Sequence, residues 1–278
     1  MNLTCTSFSF PLLSFERSLQ AIALLEIPRF DVGAHEGSSH IQPSEVEANP
    51  GAVADRVKRA ADAAELEASD FFPTFGHGFR DRPVNAPDAA VRAQNVARFR
   101  AIVDCAARIG AKGVTLLPGV IWPDLGREKS FQLSLTGLRE LLPIASDRGL
   151  RLSVEAHMES VAESPRAAQQ LCDELPDLRL TLDYSHFLAL GYSPSDVHPL
   201  LTYAGHFHAR QAAPGRLQAS AKDGTLNFPD LVGRLKAQGY VGDVCLEYTW
   251  QDWRECWRQD VMAETVMLRD LILPVIRG

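Results

Sequence analysis

Residues 150–158 read LRLSVEAHM and residues 178–187 read LRLTLDYSHF, two short runs in which apolar and polar side chains alternate. The same alternation returns in GHFHAR at 205–210 and in DVCLEYTW at 243–250. A period of two residues is typical of β-strands, whose successive side chains point to opposite faces. The four runs are therefore predicted to be strands, and each carries an acidic residue or a histidine near its carboxyl end.

Four further candidate strands precede these runs, and strands alternate with segments of helical period along the chain. The predicted strands span 3–10, 28–33, 68–74, 113–118, 151–157, 179–184, 204–210 and 243–248. The clearest helix is predicted over 88–109, where apolar residues recur at three- and four-residue steps. Strict alternation of strands and helices predicts parallel pairing through crossover helices. We therefore expect an α/β fold over 1–278, a single (β/α)8 TIM barrel with a parallel eight-stranded core, for which about 250 residues is typical.

The main structural alternative is an open, doubly wound sheet. Such sheets commonly carry a glycine-rich phosphate-binding loop after their first strand. Here the residues Ser9-Phe10-Pro11-Leu12 stand at that point of the chain. The sequence therefore favours the closed barrel.

Composition excludes several classes of protein. The chain has 278 residues, of which 46% are hydrophobic and 23% charged, values that do not fit a disordered or fibrous protein. The formal net charge of -7 offers no overall basic field, so nucleic acid is not an expected partner. No run approaches the roughly 20 apolar residues of a membrane helix, and the first residues lack the pattern of an export signal. We expect a cytoplasmic protein with no membrane partner, whose five cysteines, none in a CxxC pair, stay reduced.

The last four predicted strands share one phase of side chains. Each has a side chain able to bind a metal near its carboxyl end: Glu155, Asp183, His208 and Glu247. If these four point into a barrel, their strand neighbours point outward, and those neighbours are all apolar: Leu152, Val154, Leu180, Leu182, Phe207, Val244 and Leu246. Inward residues at the carboxyl rim of such a barrel form its active site. The phase therefore predicts one shared polar pocket.

Three carboxylates in one pocket require a compensating charge, because burying like charges costs several kcal/mol each. A divalent cation supplies that charge. Three oxygen ligands and one imidazole favour a hard or borderline ion. The sequence therefore predicts one divalent metal ion on Glu155, Asp183, His208 and Glu247, with Mn²⁺ as first choice and Mg²⁺ or Co²⁺ as alternatives.

Three more residues are candidates for substrate contact. His157 shares the inward phase of Glu155, and His35 lies in a polar loop at 31–43, after the second predicted strand. Trp250 follows the last strand closely enough to touch a substrate. The three- and four-residue steps from Trp250 through Trp253 to Trp257 are the spacing of one helical face, which favours packing against the barrel or a second subunit.

The segment PTFGHGFRDRP at 73–83 follows the third predicted strand. Its glycines and arginines are compatible with a mobile lid or an anion clamp, but an ordinary solvated loop is favoured over both.

The order Glu, Asp, His, Glu on the fifth to eighth strands resembles the xylose-isomerase-like barrels called sugar phosphate isomerases/epimerases, which include the ketose 3-epimerases. The resemblance continues in LDYSHF at 182–187 and in KDGTLNFPDLVGRLKAQGYVGDVCLE at 222–247. It covers most of the chain and is strongest over 150–250.

The resemblance implies roles for individual residues. Four would bind the metal: Glu155, Asp183, His208 and Glu247. His186 would hydrogen-bond a substrate oxygen, and Arg210 or Arg216 would hold a hydroxyl or carboxylate. Glu155 and Glu247 would act as the catalytic acid and base, removing and returning a proton through an enediolate.

The implied function is a metal-dependent isomerase or epimerase of carbohydrate metabolism, acting on a small sugar or keto-sugar. Elimination from the same enediolate would make the protein a lyase or dehydratase, with a 3-keto-glycoside or a dehydroshikimate-like acid as substrate. The negative net charge disfavours an apurinic-site endonuclease. The intact set of four metal-binding residues disfavours a non-catalytic barrel that only binds a ligand. By analogy with other barrel enzymes we also expect a homodimer.

Overall fold

Eight parallel strands form a closed barrel in the computed structural model, which describes residues 1–278. The strands follow one another around the barrel in chain order, and the first pairs with the last through Leu3 and Val244. Their bounds are β1 Leu3–Thr6, β2 Arg29–Ala34, β3 Glu67–Pro73, β4 Gly113–Leu116, β5 Arg151–Glu155, β6 Arg179–Asp183, β7 Ala204–Ala209 and β8 Val244–Leu246. Closure confirms the (β/α)8 prediction and excludes the open sheet.

All eight predicted strands are present, and most end earlier than predicted. The first ends at Thr6 because Ser7–Ser9 forms a 3-10 helix, and the fifth ends at Glu155 rather than at residue 157. The inter-strand ladder stops where the chain leaves the barrel, although the alternating pattern continues into the loop. The residues beyond these ends lie in the loops above the carboxyl rim.

Helices surround the barrel. Their bounds are α1 Phe15–Leu24, α2 Pro43–Ala48, α3 Pro50–Ala64, α4 Ala89–Arg108, α5 Gly126–Ser146, α6 Pro165–Glu174, α7 Tyr184–Ala189, α8 Pro194–Val197, α9 Phe228–Ala237 and α10 Val261–Arg277. The helix predicted over 88–109 is α4, which begins after Asp88 because that side chain accepts a hydrogen bond from the Ala90 amide. Gly110 follows α4 with a φ of +80°, a backbone conformation that lets the chain turn into β4.

The main apolar core lies between strands and helices. It is one cluster of 69 buried residues, and it contains every apolar strand neighbour that the phase directs outward. Polar strand residues fill the interior of the barrel instead, among them Thr4, Thr115 and Thr181, each fully buried. The predicted division between apolar and polar strand faces is thereby confirmed.

Asp243 closes the barrel at its amino-terminal end. Its carboxylate accepts hydrogen bonds from the side chains of Asn2 at 3.1 Å, Arg29 at 3.0 Å and Ser69 at 2.7 Å, and it lies 3.6 Å from the Lys112 ammonium group. One carboxylate thus joins the starts of several strands, at the end of the barrel opposite to the carboxyl rim.

All five cysteines are free thiols and all are buried. No helix is both long enough and apolar enough to cross a membrane.

Candidate active site

The carboxyl ends of the last four strands bring the predicted ligands to one rim. Glu155 and Asp183 are the final residues of β5 and β6, His208 lies in β7 beside Asp183, and Glu247 follows β8. None of the four is more than 3% exposed. The strand phase read from the sequence correctly places all four inside the barrel.

Three of the four form a tight group. His208 Nδ1 lies 2.8 Å from Glu155 Oε1 and 3.1 Å from Glu247 Oε2. One ligand atom from each residue lies within 4.8 Å of the other two. Glu247 Oε2 is buried yet accepts no hydrogen bond, which is an expensive state for a carboxylate oxygen. This group fits a divalent ion, because a cation can be bound at once by Glu155 Oε1, which pairs with His208 Nδ1 in this structure, and by the unbonded Glu247 Oε2.

Asp183 stands apart from this group because its oxygens are already bonded. Oδ1 accepts a hydrogen bond from the Ser185 amide at 2.8 Å, and Oδ2 accepts one from Arg210 Nη2 at 2.8 Å. The family resemblance implies that Arg210 binds the substrate. Arg210 does line the cavity, but its guanidinium also forms this buried ion pair. The structure therefore divides the four candidates into three grouped residues and one that is paired with an arginine.

A second carboxylate–histidine pair lies deeper in the barrel. Asp31 Oδ2 is 2.6 Å from His206 Nε2 and 3.8 Å from His208 Nε2, and its Oδ1 accepts a hydrogen bond from Thr4 at 3.0 Å. Asp31 thus faces the ring nitrogen of His208 that points away from Glu155. At 3.8 Å the Asp31 carboxylate is too far from His208 for a hydrogen bond, so it favours a positive charge at this imidazole through its own charge alone.

Asp31 and Asp70 are interior residues that sequence reasoning missed. Asp70 accepts hydrogen bonds from Thr115 at 2.5 Å and Arg151 at 3.0 Å at the lower end of the barrel. Each aspartate has large apolar neighbours in its strand, Phe30 and Val32 beside Asp31 in β2, and Phe71 and Phe72 after Asp70 in β3. An acidic residue beside large apolar residues in a predicted strand was the sequence signal that could have identified Asp31 and Asp70.

The two glutamates have pKa values pushed in opposite directions. Burial and the neighbouring Glu247 charge raise the pKa of Glu155 to about 7. Burial also opposes ionisation of Glu247, but Arg210 and His208 outweigh it and lower the pKa to about 2. Burial alone would lower the pKa of His208, yet the surrounding carboxylates raise it well above its usual value. The site thus holds one carboxylate that is firmly ionised and one poised to carry a proton at neutral pH.

A cavity of about 270 Å³ opens above this group. Its polar lining includes His35, His157, Arg210, Glu155 and Glu247, and its aromatic lining consists of Phe8, Phe72, Phe79, Trp250 and Trp253. Burial lowers the pKa of both His35 and His157 to about 4, so both rings are neutral at physiological pH. Apolar walls around a few polar groups are typical of a small-molecule site.

Predicted substrate residues differ in where the structure places them. His35, His157, Arg210 and Trp250 line the cavity. His186 is buried just behind it, with Nε2 3.0 Å from Arg210 Nη2 and 3.7 Å from Glu155 Oε2. The Arg216 side chain is 51% exposed and faces Asp223 at 3.5 Å, and it is not part of the cavity lining.

Trp253 lines the cavity beside His157, a position that the sequence did not indicate. The prediction that Trp250, Trp253 and Trp257 share an α-helical face is wrong. Trp250 lies in a loop, and the turns of Trp253–Arg258 are interrupted by Arg254 and Glu255, whose backbones are left-handed. The Trp253 ring stacks on His157 at 4.9 Å between centroids, and Phe79 packs edge-on against both rings. Trp253 therefore forms a cavity wall, a placement decided by the path of the loop.

In the segment 73–83 the charged side chains lie outside the cavity, as expected of a solvated loop. His77 and Arg80 are exposed, Arg82 reaches Asn95, and of this segment Thr74, Gly78 and Phe79 line the cavity. Its arginines do not point into the site.

The family to which the chain matches has the same barrel fold as the structure. The family model of the xylose isomerase-like TIM barrel matches residues 30–270, and the chain belongs to that family. A search of curated proteins returns no match.

Solved structures of low sequence identity share the whole fold. A D-psicose 3-epimerase from Clostridium cellulolyticum H10, solved with D-tagatose, is 14% identical over 99% of both chains with a TM-score of 0.76. A xylose isomerase-like TIM barrel protein from Mycobacterium smegmatis, solved with magnesium, is 17% identical over 99% of this chain and 96% of that one, with a TM-score of 0.75. A 3-keto-D-glucoside 4-epimerase from E. coli is 16% identical over 100% of both chains with a TM-score of 0.71.

Proposed function

We propose that this protein is a divalent-metal-dependent sugar isomerase or epimerase acting on a small ketose or related carbonyl sugar. The observation that carries the proposal is the pair Glu155 and Glu247, two buried carboxylates of opposite protonation tendency at the floor of a cavity of about 270 Å³. Membership of a family with ketose 3-epimerases among its structural neighbours supports the same substrate class.

Glu155, His208 and Glu247 are the residues best placed to hold the metal. The unbonded Glu247 Oε2 and the Asp31 carboxylate behind His208 both support this assignment. Mn²⁺ is our first choice, with Mg²⁺ or Co²⁺ as alternatives, and the magnesium in the M. smegmatis relative is consistent with a hard ion. When bound, such an ion withdraws charge from adjacent carbonyl and hydroxyl oxygens of a sugar and so favours an enediolate.

The two glutamates carry the proton transfer. Glu247 is the ionised group and takes a proton from the carbon beside the carbonyl, while Glu155 is the group that delivers one. Return of the proton to the opposite face of the same carbon gives an epimer. Return to the neighbouring carbon interconverts an aldose and a ketose.

The remaining cavity residues bind and orient the sugar. The neutral rings of His35 and His157 are hydrogen-bonding partners for its hydroxyl groups. The aromatic wall formed by Trp250 and Trp253 packs against the apolar face of the sugar ring or chain and displaces water.

The test is isotope exchange. We would incubate Mn²⁺-loaded protein in heavy water with free ketoses, ketose phosphates and 3-keto-glycosides, and examine each by mass spectrometry. We expect deuterium at a carbon beside the carbonyl with the sugar formula unchanged, and the labelled position separates an epimerase from an isomerase. Absence of exchange across the panel would contradict the proposal.

A lyase acting on a 3-keto-glycoside is the second candidate. A groove begins at Pro11 and Trp250, which also line the cavity, and continues past Trp257 to Met262. Such an extension suits a substrate with a substituent on the sugar, and the structural similarity to a 3-keto-D-glucoside 4-epimerase supports the same class of substrate. Loss of the substituent in the heavy-water experiment would identify this reaction.

A further inference from the structure

Exposed apolar side chains are concentrated beside the mouth of the cavity. Ten large apolar residues are exposed in the whole chain, and half of them line one groove: Leu12, Leu13, Trp250, Trp257 and Met262. The groove has a volume of about 450 Å³. Contiguous apolar patches on a protein surface mark binding sites, whereas single exposed apolar residues do not.

The groove continues the cavity that holds the candidate active site. Pro11 and Trp250 line both. One wall of the groove is the segment after β1 and the other is the segment after β8, and the same two segments supply Phe8 and Trp253 to the cavity. A substituent on a sugar bound in the cavity therefore has a direct path between Pro11 and Trp250 onto the groove.

The charged side chains of the groove already have partners. Arg258 donates a hydrogen bond to Glu255 at 2.8 Å, and its guanidinium lies over the Trp257 ring. The Asp260 carboxylate accepts a hydrogen bond from the Ala263 amide at 3.1 Å and so caps α10. Neither side chain needs a charged ligand, so the groove suits an uncharged, apolar group.

The place of the groove favours a part of the substrate over a second copy of the chain. A second copy seated on it would cover Pro11 and Trp250 and so obstruct the mouth of the cavity. A substituent carried by the sugar uses the same opening as its exit.

We propose that this groove is a subsite for an apolar aglycone, so that the preferred substrate is a carbonyl sugar with an apolar substituent rather than a free ketose. Contacts with a part of the substrate remote from the reacting carbon add to the binding energy available for catalysis. The subsite is used whether the enediolate is reprotonated or loses the substituent. This inference rests on the proposed function and specifies its substrate class.

The test compares the hexyl and methyl 3-keto-β-D-glucosides, which share one sugar and differ only in the alkyl chain. Each is incubated with Mn²⁺-loaded protein in heavy water, and kcat/KM is measured as deuterium gained at carbon or as alcohol released. We expect kcat/KM for the hexyl compound to be at least about tenfold higher, because methylene groups buried on an apolar surface improve binding.

Leu12→Asp places a charge in the groove at a side chain that is 76% exposed and therefore adds little to the core. It should reduce the hexyl-to-methyl ratio to about twofold or less and leave kcat/KM for the methyl compound unchanged. Trp257→Ala probes the other wall and should lower the ratio in the same way. Val241→Asp is the matched control and should keep the wild-type ratio, because Val241 is 85% exposed and precedes β8 at the opposite end of the barrel.

Calorimetry with hexyl and methyl β-D-glucoside measures the groove apart from catalysis, since these compounds lack the carbonyl group and cannot react. We expect wild type and Val241→Asp to bind the hexyl glucoside at least about tenfold more tightly than the methyl glucoside. Leu12→Asp should bind the two alike.

Equal kcat/KM values for the hexyl and methyl compounds, or exchange into free ketoses alone, would overturn the inference and leave the proposed function intact. No exchange with any sugar, combined with tighter binding of the hexyl glucoside, would overturn the proposed function and support the groove as an apolar subsite. Equal binding of the two glucosides, combined with a dimer that Leu12→Asp dissociates in sedimentation, would overturn the inference and identify the groove as a contact between copies.

Discussion

At the scale of single residues, Glu155 and Glu247 show how neighbours assign different roles to one residue type. Both are buried beside His208, but Arg210 lies near Glu247 and keeps that carboxylate ionised. The pKa of Glu155 is raised by burial and by the Glu247 charge. The family resemblance implies that both residues take part in proton transfer, and under the proposed function their surroundings distinguish the acid from the base.

Glu247→Gln is predicted to lower turnover by about a thousandfold or more, because it removes a base and a metal ligand while keeping the shape of the side chain. Deuterium exchange into the substrate found in the heavy-water panel measures the effect. Glu128→Gln, at an exposed position on α5, is the matched control and should retain wild-type turnover. Retention of a tenth of the activity in Glu247→Gln would show that another residue is the base.

His157 is predicted to make the fold sensitive to mild acid. Burial lowers its pKa from 6.5 to about 4, so the native state keeps the ring neutral while the unfolded chain takes up a proton below pH 6.5. Its contribution to stability is fully present above pH 6.5 and is lost as the pH falls through about 4. The loss is at most about 3 kcal/mol.

Urea unfolding of wild type and His157→Gln between pH 7 and pH 4 tests this. The variant should lose less free energy of unfolding over that range than the wild type. His77→Gln, at an exposed position, should follow the wild type. Parallel curves for wild type and His157→Gln would refute the assignment.

At the scale of secondary-structure elements, β8 has separate functions at its two ends. Asp243 precedes it and joins the amino-terminal parts of β1, β2 and β3, while Glu247 follows it in the candidate active site. Only three residues of regular strand, Val244–Leu246, separate the two carboxylates. In a barrel, one end of a strand stabilises the fold and the other carries the chemistry.

Asp243→Asn is therefore predicted to lower the free energy of unfolding by about 1–3 kcal/mol without changing turnover. The buried carboxylate loses its charge while Arg29 and Lys112 keep theirs. Arg258→Gln, which removes an exposed ion pair with Glu255, is the control and should change stability by less than about 1 kcal/mol. Equal stability of the two variants would show that Asp243 is not a clamp.

At the scale of the whole molecule, the acidic rim would couple folding to metal binding under the proposed function. Three carboxylates meet at one end of the barrel, and a single guanidinium compensates for part of their charge. An ion that binds only the folded state stabilises it by mass action. Mn²⁺ at about a hundred times its Kd should add about 2.7 kcal/mol and raise Tm by about 5 °C.

Thermal unfolding with Mn²⁺ and with excess chelator measures this shift. The shift should be nearly absent in Glu247→Gln, which lacks one ligand oxygen. The same shift in Glu247→Gln and wild type would mean that the ion binds elsewhere on the protein.

The sequence by itself determined the barrel and the inward set Glu155, Asp183, His208 and Glu247, because the alternation of side chains along a strand is a local property. It did not predict Asp31, which acts through contacts with residues of β1 and β7.

Only the tertiary structure decided how the rim residues pair. Asp183 ends β6 whereas Arg210 follows β7, and Trp253 reaches His157 through the path of a loop, so both contacts depend on non-local packing and side-chain rotamers. Arg216 lies only six positions beyond Arg210 in the chain, yet it faces solvent, because the intervening loop leaves the barrel. Spacing along the chain does not encode these placements, whereas strand phase encodes the faces of the barrel.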